Sequence, residues 1–163
     1  MVTTGDAAPD FDAPLAGGTA YNDVEPFTLS AAIGNGPIVL AFFPAAFTSG
    51  CTTEMCTFSE ALPQFADLNA QVYGISVDLP FAQNVWMAQE DIGVPMLSDW
   101  NHDIIHAYDV VLPAMYDLVE AAQRAVFVID DDGIVTYAWV RDGANPDFDE
   151  LVAEVHAAVE AAA

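Results

Sequence analysis

Apolar and polar residues follow one another in blocks along this chain, and the blocks predict alternating strands and helices. Residues 37–43, 72–77 and 124–129 are almost wholly apolar and rich in β-branched or aromatic side chains. Such runs are typical of strands buried on both faces of a sheet. A fourth strand, residues 134–140, follows a tight turn at residues 130–133. The last two strands are therefore expected to form a hairpin.

Helices are predicted where apolar residues recur every three or four positions. The strongest pattern spans residues 51–68 and includes Phe58 and Phe65. Pro63 lies inside it and is expected to kink this helix or split it into two. Further helices are expected at residues 81–90, 103–108 and 147–161. Residues 95–97 suggest a short strand.

The first third of the chain is rich in turn-forming residues, including Pro14 and Pro26. Phe11 and Leu15 suggest a short edge strand, and residues 28–32 a capped helical turn. Read together, the segments give a strand–helix–strand unit followed by a hairpin and a helix. This order predicts an α/β protein with a thioredoxin-like fold, whose central mixed sheet is flanked by helices. We expect one domain over residues 1–163, because the length fits a single domain.

The charge of the chain is extreme, and it narrows the possible partners. Two Lys+Arg stand against 25 Asp+Glu, for a formal net charge of −23. Such a field repels phosphate, so neither nucleic acid nor an anionic membrane is an expected partner. The acids are spread along the chain rather than clustered in a tail. This pattern favours a surface adapted to molar salt, as in a halophilic, haloarchaeal protein of the cytoplasm.

Cys51 is the strongest candidate for chemistry. It follows the first buried strand and opens the first long helix, at the edge of the sheet where α/β proteins usually bind ligands. A helix N-terminus offers unpaired N–H groups and partial positive charge, both of which favour a thiolate. On position alone, an inert buried cysteine remains an equal alternative.

Residues 42–58, around Cys51, read FFPAAFTSGCTTEMCTF and contain the pattern P-x-x-x-T-x-x-C. This segment resembles the active-site signature of the peroxiredoxins. RAVFVID, from Arg124, and VPMLSD, residues 94–99, also resemble segments of that family. The resemblance extends over nearly the whole chain and implies a thiol-dependent peroxidase.

The resemblance implies a role for each matching residue. Cys51 would be the thiolate that attacks a peroxide and becomes a sulfenic acid. The Thr48 hydroxyl would accept from the peroxide and donate to the thiolate, and Arg124 would hold the thiolate and polarise the leaving oxygen. Pro44 would shield the sulfur without competing for hydrogen bonds, and N–H groups near Gly50 would complete the site. No metal or organic cofactor is needed.

Cys56 lies five residues after Cys51, and two functions are possible for it. In an intact helix the two residues are separated by about 7.5 Å of rise and roughly 140°. A disulfide needs Cα atoms within about 6.8 Å, so bridging would require the helix to unwind. The spacing resembles the Q-type, bacterioferritin-comigratory peroxiredoxins, in which this cysteine resolves the sulfenic acid. Alternatively, Cys56 only packs, as in one-cysteine relatives such as the alkyl hydroperoxide reductase E branch.

Other features leave alternatives open. Glu54 could orient an arginine or be a solvated acid of the first turn, whereas Arg141 is expected to pair with nearby acids such as Asp142. The expected partners are a peroxide, a thioredoxin-like or low-molecular-weight thiol reductant, and a second copy in a homodimer. A redox sensor that passes oxidation to a partner is the main alternative function. A thiol–disulfide oxidoreductase would normally carry C-x-x-C, which is absent, and a purely structural role would not need Cys51.

Overall fold

The computed structural model describes residues 1–163, which form nine strands and five helices. The strands are β1 (Asp12–Ala16), β2 (Val24–Thr28), β3 (Ile38–Phe42), β4 (Gln71–Ser76), β5 (Met96–Ser98), β6 (Val111–Met115), β7 (Leu118–Ala122), β8 (Ala125–Ile129) and β9 (Val135–Val140). The helices are α1 (Leu29–Ala32), α2 (Ser49–Asp67), α3 (Pro80–Glu90), α4 (Asp103–Ala107) and α5 (Phe148–Ala162). No helix is both long and apolar enough to cross a bilayer.

Seven of the strands form one mixed sheet in the order β2-β1-β5-β4-β3-β8-β9. Strands β3, β4 and β5 are parallel neighbours, and β8 runs antiparallel to both β3 and β9. Strands β6 and β7 pair only with each other. The central mixed sheet with flanking helices confirms the predicted thioredoxin-like α/β fold.

The pleat of β3 divides the interior into two hydrophobic cores. Val39 and Ala41 face the core that holds the buried side chains of α2, α3 and α5. Leu40 and Phe42 face the opposite core, under α1 and α4. Because successive side chains of a strand point to opposite faces, a wholly apolar strand is what two covered faces require. The sheet is therefore a rigid base for the loops at its edges.

The predicted strand near Phe11 and Leu15 forms, as β1, but its predicted place at the edge of the sheet is wrong. β1 is an inner strand, because β2, which was not predicted, pairs with it on the outside. The prolines that suggested a loop are accommodated by the register, since Pro14 lies directly opposite Pro26. Both missing N–H donors therefore fall at one position of the ladder, near the edge of the sheet where proline is tolerated.

Helix α2 passes through Pro63 without being split. Phe58 and Phe65, on either side of the proline, are both fully buried in the same core. Burying two aromatic side chains contributes more than the roughly 3 kcal/mol that an interior proline costs a helix. The tertiary contacts therefore keep α2 a single helix.

Candidate active site

Cys51 is the third residue of α2, which begins at Ser49. The N–H groups of Ser49, Gly50 and Cys51 have no acceptor within the protein, and the first amide of the turn to find one is that of Thr52. The cysteine side chain is only 1% exposed. The thiol is therefore buried at the positive end of a 19-residue helix, with free N–H donors beside it.

The register of the sheet brings Arg124 to this thiol from 73 residues away. Because β8 is antiparallel to β3, with Phe42 opposite Ala125, the start of β8 lies at the end of β3. Arg124 immediately precedes β8, and its Nη2 donates a hydrogen bond to Cys51 Sγ at 3.4 Å. Two residues far apart in the sequence therefore meet at the carboxyl end of β3.

The guanidinium of Arg124 is held on every edge. Its Nη1 donates to Glu54 Oε2 at 3.2 Å, and its Nε donates to Asn145 Oδ1 at 3.1 Å. One face of the group lies over the Phe148 ring, 5.3 Å from the ring centre. With a side chain 3% exposed and three edges bonded, Arg124 has a fixed orientation toward Cys51.

Glu54 is a buried partner of Arg124 and not a solvated acid. Its side chain is 0% exposed, and one of its oxygens, Oε1, has no hydrogen-bond partner. Burial raises the pKa of Glu54 to about 7, although the charges of Arg124 and Arg141 lower it. Burial lowers the pKa of the Arg124 guanidinium. The charges of Glu54 and Cys51 raise that pKa by more, so the net shift is upward. The site thus holds one cation between two groups that can be anionic.

Pro44 and Thr48 lie in the loop between β3 and α2, on the wall of the same cavity as Cys51. The Thr48 hydroxyl donates its proton to the Ala45 carbonyl at 2.7 Å. In this structure the hydroxyl proton therefore points to Ala45, and the Thr48 oxygen is free to accept a hydrogen bond. Asp78 stabilises the loop, because its Oδ2 accepts a hydrogen bond from the Ala46 N–H at 2.9 Å.

Cys56 is in the same helix as Cys51 but does not line the cavity. Its thiol is half-buried and lies 3.8 Å from the Glu90 carbonyl oxygen, and both cysteines are free. Burial raises the pKa of the Cys56 thiol, as do the charges of Glu90, Glu60 and Asp91. A bond between the two sulfurs therefore requires the first turns of α2 to open, as the spacing predicted.

Three residues at the site differ from what the sequence predicted. Asn145 and Phe148 were not predicted to contact Arg124, and Arg141 does not have the predicted partner. Asn145 Oδ1 accepts from both arginines, at 3.1 Å from Arg124 and 2.9 Å from Arg141. Arg141 forms no ion pair with any carboxylate, contrary to the expected pairing with Asp142. The hairpin register explains its position, since Val140 lies opposite Ala125 and the Arg141 N–H donates to the Arg124 carbonyl. Counting across the predicted hairpin would have placed both arginines at this edge.

Gly50 allows these groups to approach the start of α2. A Cβ atom at this position would lie 2.9 Å from Nδ2 of Asn145 and 3.3 Å from Nη2 of Arg124. The first of these distances is shorter than a Cβ tolerates, so a larger residue would displace the Asn145 amide. Glycine therefore favours the close packing of Asn145 and Arg124 at this position, with no special backbone conformation involved.

The resulting cavity has a volume of about 400 Å³ and combines polar and apolar walls. It is lined by Pro44, Thr48, Ser49, Gly50, Cys51, Leu112, Ala114, Met115, Tyr116, Arg124, Arg141 and Asn145. A nucleophilic sulfur, a fixed guanidinium and free N–H groups converge on one point. That arrangement suits a reaction in which negative charge develops on an oxygen next to the sulfur.

The profile of the AhpC/TSA family matches residues 4–138 of the chain. The chain belongs to this family. Among curated relatives, the protein sll0755 of Synechocystis, named as a peroxiredoxin, is 35% identical over 150 residues, which cover 87% of this chain and 70% of that protein. The chloroplastic 2-Cys peroxiredoxin BAS1 of Hordeum vulgare is 29% identical over 161 residues, covering 94% and 73% of the two chains.

Solved peroxiredoxin structures share the whole fold. Peroxidoxin BcpB from Mycobacterium tuberculosis superposes with a TM-score of 0.84 and 29% identity, covering 99% of this chain and 98% of its own. The bacterioferritin comigratory protein of Xanthomonas campestris gives 0.79 and 27% identity, covering 93% and 90%. This peroxiredoxin is accordingly a thiol-dependent peroxidase, in agreement with the expectation drawn from residues 42–58.

Proposed function

We propose that Cys51 is the residue of this peroxiredoxin that reacts with the peroxide. Its thiolate attacks the terminal oxygen of R–O–O–H, so that a sulfur–oxygen bond forms as the oxygen–oxygen bond breaks. The leaving RO⁻ takes up a proton and departs as an alcohol, or as water when R is hydrogen. The sulfur loses two electrons to the peroxide and becomes a sulfenic acid.

The contact between Arg124 Nη2 and Cys51 Sγ, at 3.4 Å, carries this proposal. The thiolate is the reactive form of a cysteine, and a positive charge beside the sulfur stabilises it. The buried guanidinium, held in place by Glu54 and Asn145, supplies a positive charge and an N–H donor at this one cysteine. Cys56 instead has the carboxylates of Glu90, Glu60 and Asp91 around it, which raise the pKa of its thiol. The nearest charge at Cys51 is therefore positive, and the charges around Cys56 are negative.

The neighbouring groups have complementary functions in this proposal. The free N–H groups of Gly50 and Cys51, together with Arg124, stabilise the charge that develops on the leaving oxygen. The Thr48 oxygen accepts a hydrogen bond from the peroxide, which orients it for attack. Pro44, which has no N–H, closes the cavity over the sulfur without offering a competing donor.

We infer that Cys56 resolves the sulfenic acid. Its thiolate attacks the oxidised Cys51 sulfur, the sulfur–sulfur bond forms, and the hydroxide that leaves is protonated to water. The step requires the start of α2 to unwind, which also withdraws Glu54 from Arg124. A dithiol reductant of the thioredoxin type, or a small thiol, then reduces the disulfide and restores the enzyme.

Mass spectrometry after one equivalent of peroxide tests these assignments. We expect wild type to form an internal Cys51–Cys56 bond and Cys56→Ser to carry a trappable sulfenic acid on Cys51. Cys51→Ser is expected to consume no peroxide, and Cys56→Ser should complete its first turnover normally. Peroxide consumption by Cys51→Ser at the wild-type rate would refute the role of Cys51. Wild-type protein with oxidised Cys51 and free Cys56 would remove Cys56 from the cycle.

The composition supports a proposal about the cellular setting. With a net charge of −23 and only two basic side chains, the protein suits molar salt, where the Debye length is about 3 Å and surface repulsion is screened. We propose that the protein comes from a halophilic, haloarchaeal source and lies in the cytoplasm, which supplies reducing thiols. A melting temperature that does not rise with potassium chloride would contradict the halophilic assignment.

We also propose that the protein forms a homodimer. Exposed Phe47, Phe81 and Trp100 are available for the contact between the two copies.

A further inference from the structure

Both arginines of this protein line one cavity. The chain has two Lys+Arg and 25 Asp+Glu, and the two cationic side chains, Arg124 and Arg141, line the cavity that contains Cys51. Arg124 is paired with Glu54, but Arg141 has no carboxylate within ion-pair distance. An arginine without a carboxylate partner is exceptional in so acidic a protein, and it leaves one positive group facing the cavity.

Asn145 fixes Arg141 next to the reactive centre. A single amide oxygen accepts from Arg141 Nη1 at 2.9 Å and from Arg124 Nε at 3.1 Å. The second arginine is therefore adjacent to the group that holds the sulfur, and its charge reaches Glu54. Only one edge of the Arg141 guanidinium is used in this way, and its remaining N–H groups have no acceptor in the protein.

Part of the cavity wall is apolar. Leu112, Ala114 and Met115 come from β6, and Tyr116 from the turn that joins β6 to β7. This hairpin pairs with no other strand, and Tyr116 is 86% exposed. An apolar wall beside the reactive sulfur gains nothing from hydrogen peroxide, but it would remove the hydrocarbon part of an organic peroxide from water.

The size of the cavity agrees with a larger substrate. Its volume of about 400 Å³ is more than ten times the roughly 30 Å³ occupied by one water molecule in the liquid. Hydrogen peroxide would leave most of that space filled with water. A molecule that extends from Cys51 to both Arg141 and β6 would fill it.

We propose that Arg141 and β6 select organic hydroperoxides that carry a carboxylate a few carbon atoms from the peroxide group. The peroxide lies between Cys51 and Arg124, the carboxylate binds the free edge of Arg141, and the carbon chain packs on Leu112 and Met115. Arginine is suited to this function because its planar N–H groups match the two oxygens of a carboxylate. The proposal rests on the peroxidase function of Cys51 and names a substrate class for that site.

The test compares an acid with its own ester. The probes are the hydroperoxide of N-acetyl-leucine, its methyl ester and hydrogen peroxide. Each is mixed with reduced enzyme in a stopped-flow instrument in molar potassium chloride, which screens the repulsion between the acid and the net charge of −23. The second-order rate constant for Cys51 oxidation is the readout. We expect the acid to react about tenfold faster than the ester in wild type, the effect of one charge-assisted hydrogen-bonded pair. In Arg141→Gln the two rates should become equal.

A second pair of variants tests the apolar wall. Leu112→Ala should slow the ester relative to hydrogen peroxide, whereas Val119→Ala, at an exposed position of β7 outside the cavity, should leave that ratio unchanged. Equal rates for acid and ester in wild type, or an acid preference that survives in Arg141→Gln, would overturn the proposal. If wild-type Cys51 fails to react even with hydrogen peroxide, the peroxidase assignment itself fails, which is a separate outcome.

Discussion

Replacing Glu54 by glutamine should change how the stability of the protein depends on pH. Burial raises the pKa of Glu54 from 4.5 to about 7 in the folded state. A carboxyl group with a higher pKa when folded binds its proton more tightly in the folded protein than in the unfolded chain. Folding therefore takes up a proton between these two pH values, and the free energy of unfolding falls as the pH rises through them.

The size of the effect follows from the shift in pKa. A difference of about 2.5 units corresponds to roughly 3 kcal/mol, because each unit is worth about 1.4 kcal/mol. Glutamine occupies the same volume, can still accept from Arg124 and does not titrate. The stability of wild type relative to Glu54→Gln should therefore fall by roughly 3 kcal/mol between pH 4.5 and pH 7.

Urea unfolding of the reduced proteins at fixed salt, repeated across this pH range, measures the difference directly. Glu60→Gln, at an exposed position of the same helix, is the matched control and should follow the pH dependence of wild type. The prediction fails if the free energies of unfolding of wild type and Glu54→Gln change with pH in parallel. Such parallel changes would mean that Glu54 keeps its ordinary affinity for protons despite its burial.

Substitutions at two further positions, Thr48 and Asp78, test the loop between β3 and α2. Thr48→Val should slow the first oxidation of Cys51 about tenfold, the effect of one hydrogen bond to the peroxide, and Thr48→Ser should restore it; equal stopped-flow rates for all three proteins would exclude a role for the hydroxyl. Asp78→Ala removes the acceptor for the N–H of Ala46 and should lower the free energy of unfolding by about 1–3 kcal/mol. Denaturant unfolding measures that loss, and unchanged stability would show that Asp78 does not hold the loop.

The fold was predictable from the sequence where the hydrophobic pattern was strong. Strands β3, β4 and β8 occur within one or two residues of their predicted bounds, because side chains covered on both faces form a continuous apolar run. Helix α3 was predicted as closely from its periodic apolar residues, and β9 from the tight turn that precedes it. Strand β2 and the β6–β7 hairpin were not predicted. Their residues are largely exposed or half-buried, so the pattern that marks a buried strand is weak in them.

The candidate site was predictable only in part. Cys51, Thr48 and Pro44 are close in sequence, so a local motif identifies them, and Arg124 was found through its flanking strand. Glu54 could be placed near an arginine or in solvent, and only burial by the surrounding helices decides between them. Asn145 gave no signal at all, because a polar residue in a loop looks the same whether or not an arginine lies beside it.

Arg141 shows why charge alone misleads. A basic residue in so acidic a chain is expected to find a carboxylate, and the neighbouring Asp142 was the obvious candidate. The antiparallel register instead places Arg141 next to Arg124, at the mouth of the cavity. The pairing of two strands in one hairpin therefore brings both arginines to the site.

If Arg124 makes Cys51 reactive, its loss must slow the single-turnover oxidation of Cys51 by hydrogen peroxide. Wild type should be compared with Arg124→Gln and with Glu54→Gln/Arg124→Gln, which leaves no unpaired buried carboxylate. The exposed variant Glu60→Gln is the control. We expect both Arg124 variants to lose about 10²–10³-fold in rate, as for removal of one charge-stabilising donor. Oxidation of Cys51 within a few-fold of the wild-type rate in folded Arg124→Gln would show that the arginine does not activate the sulfur.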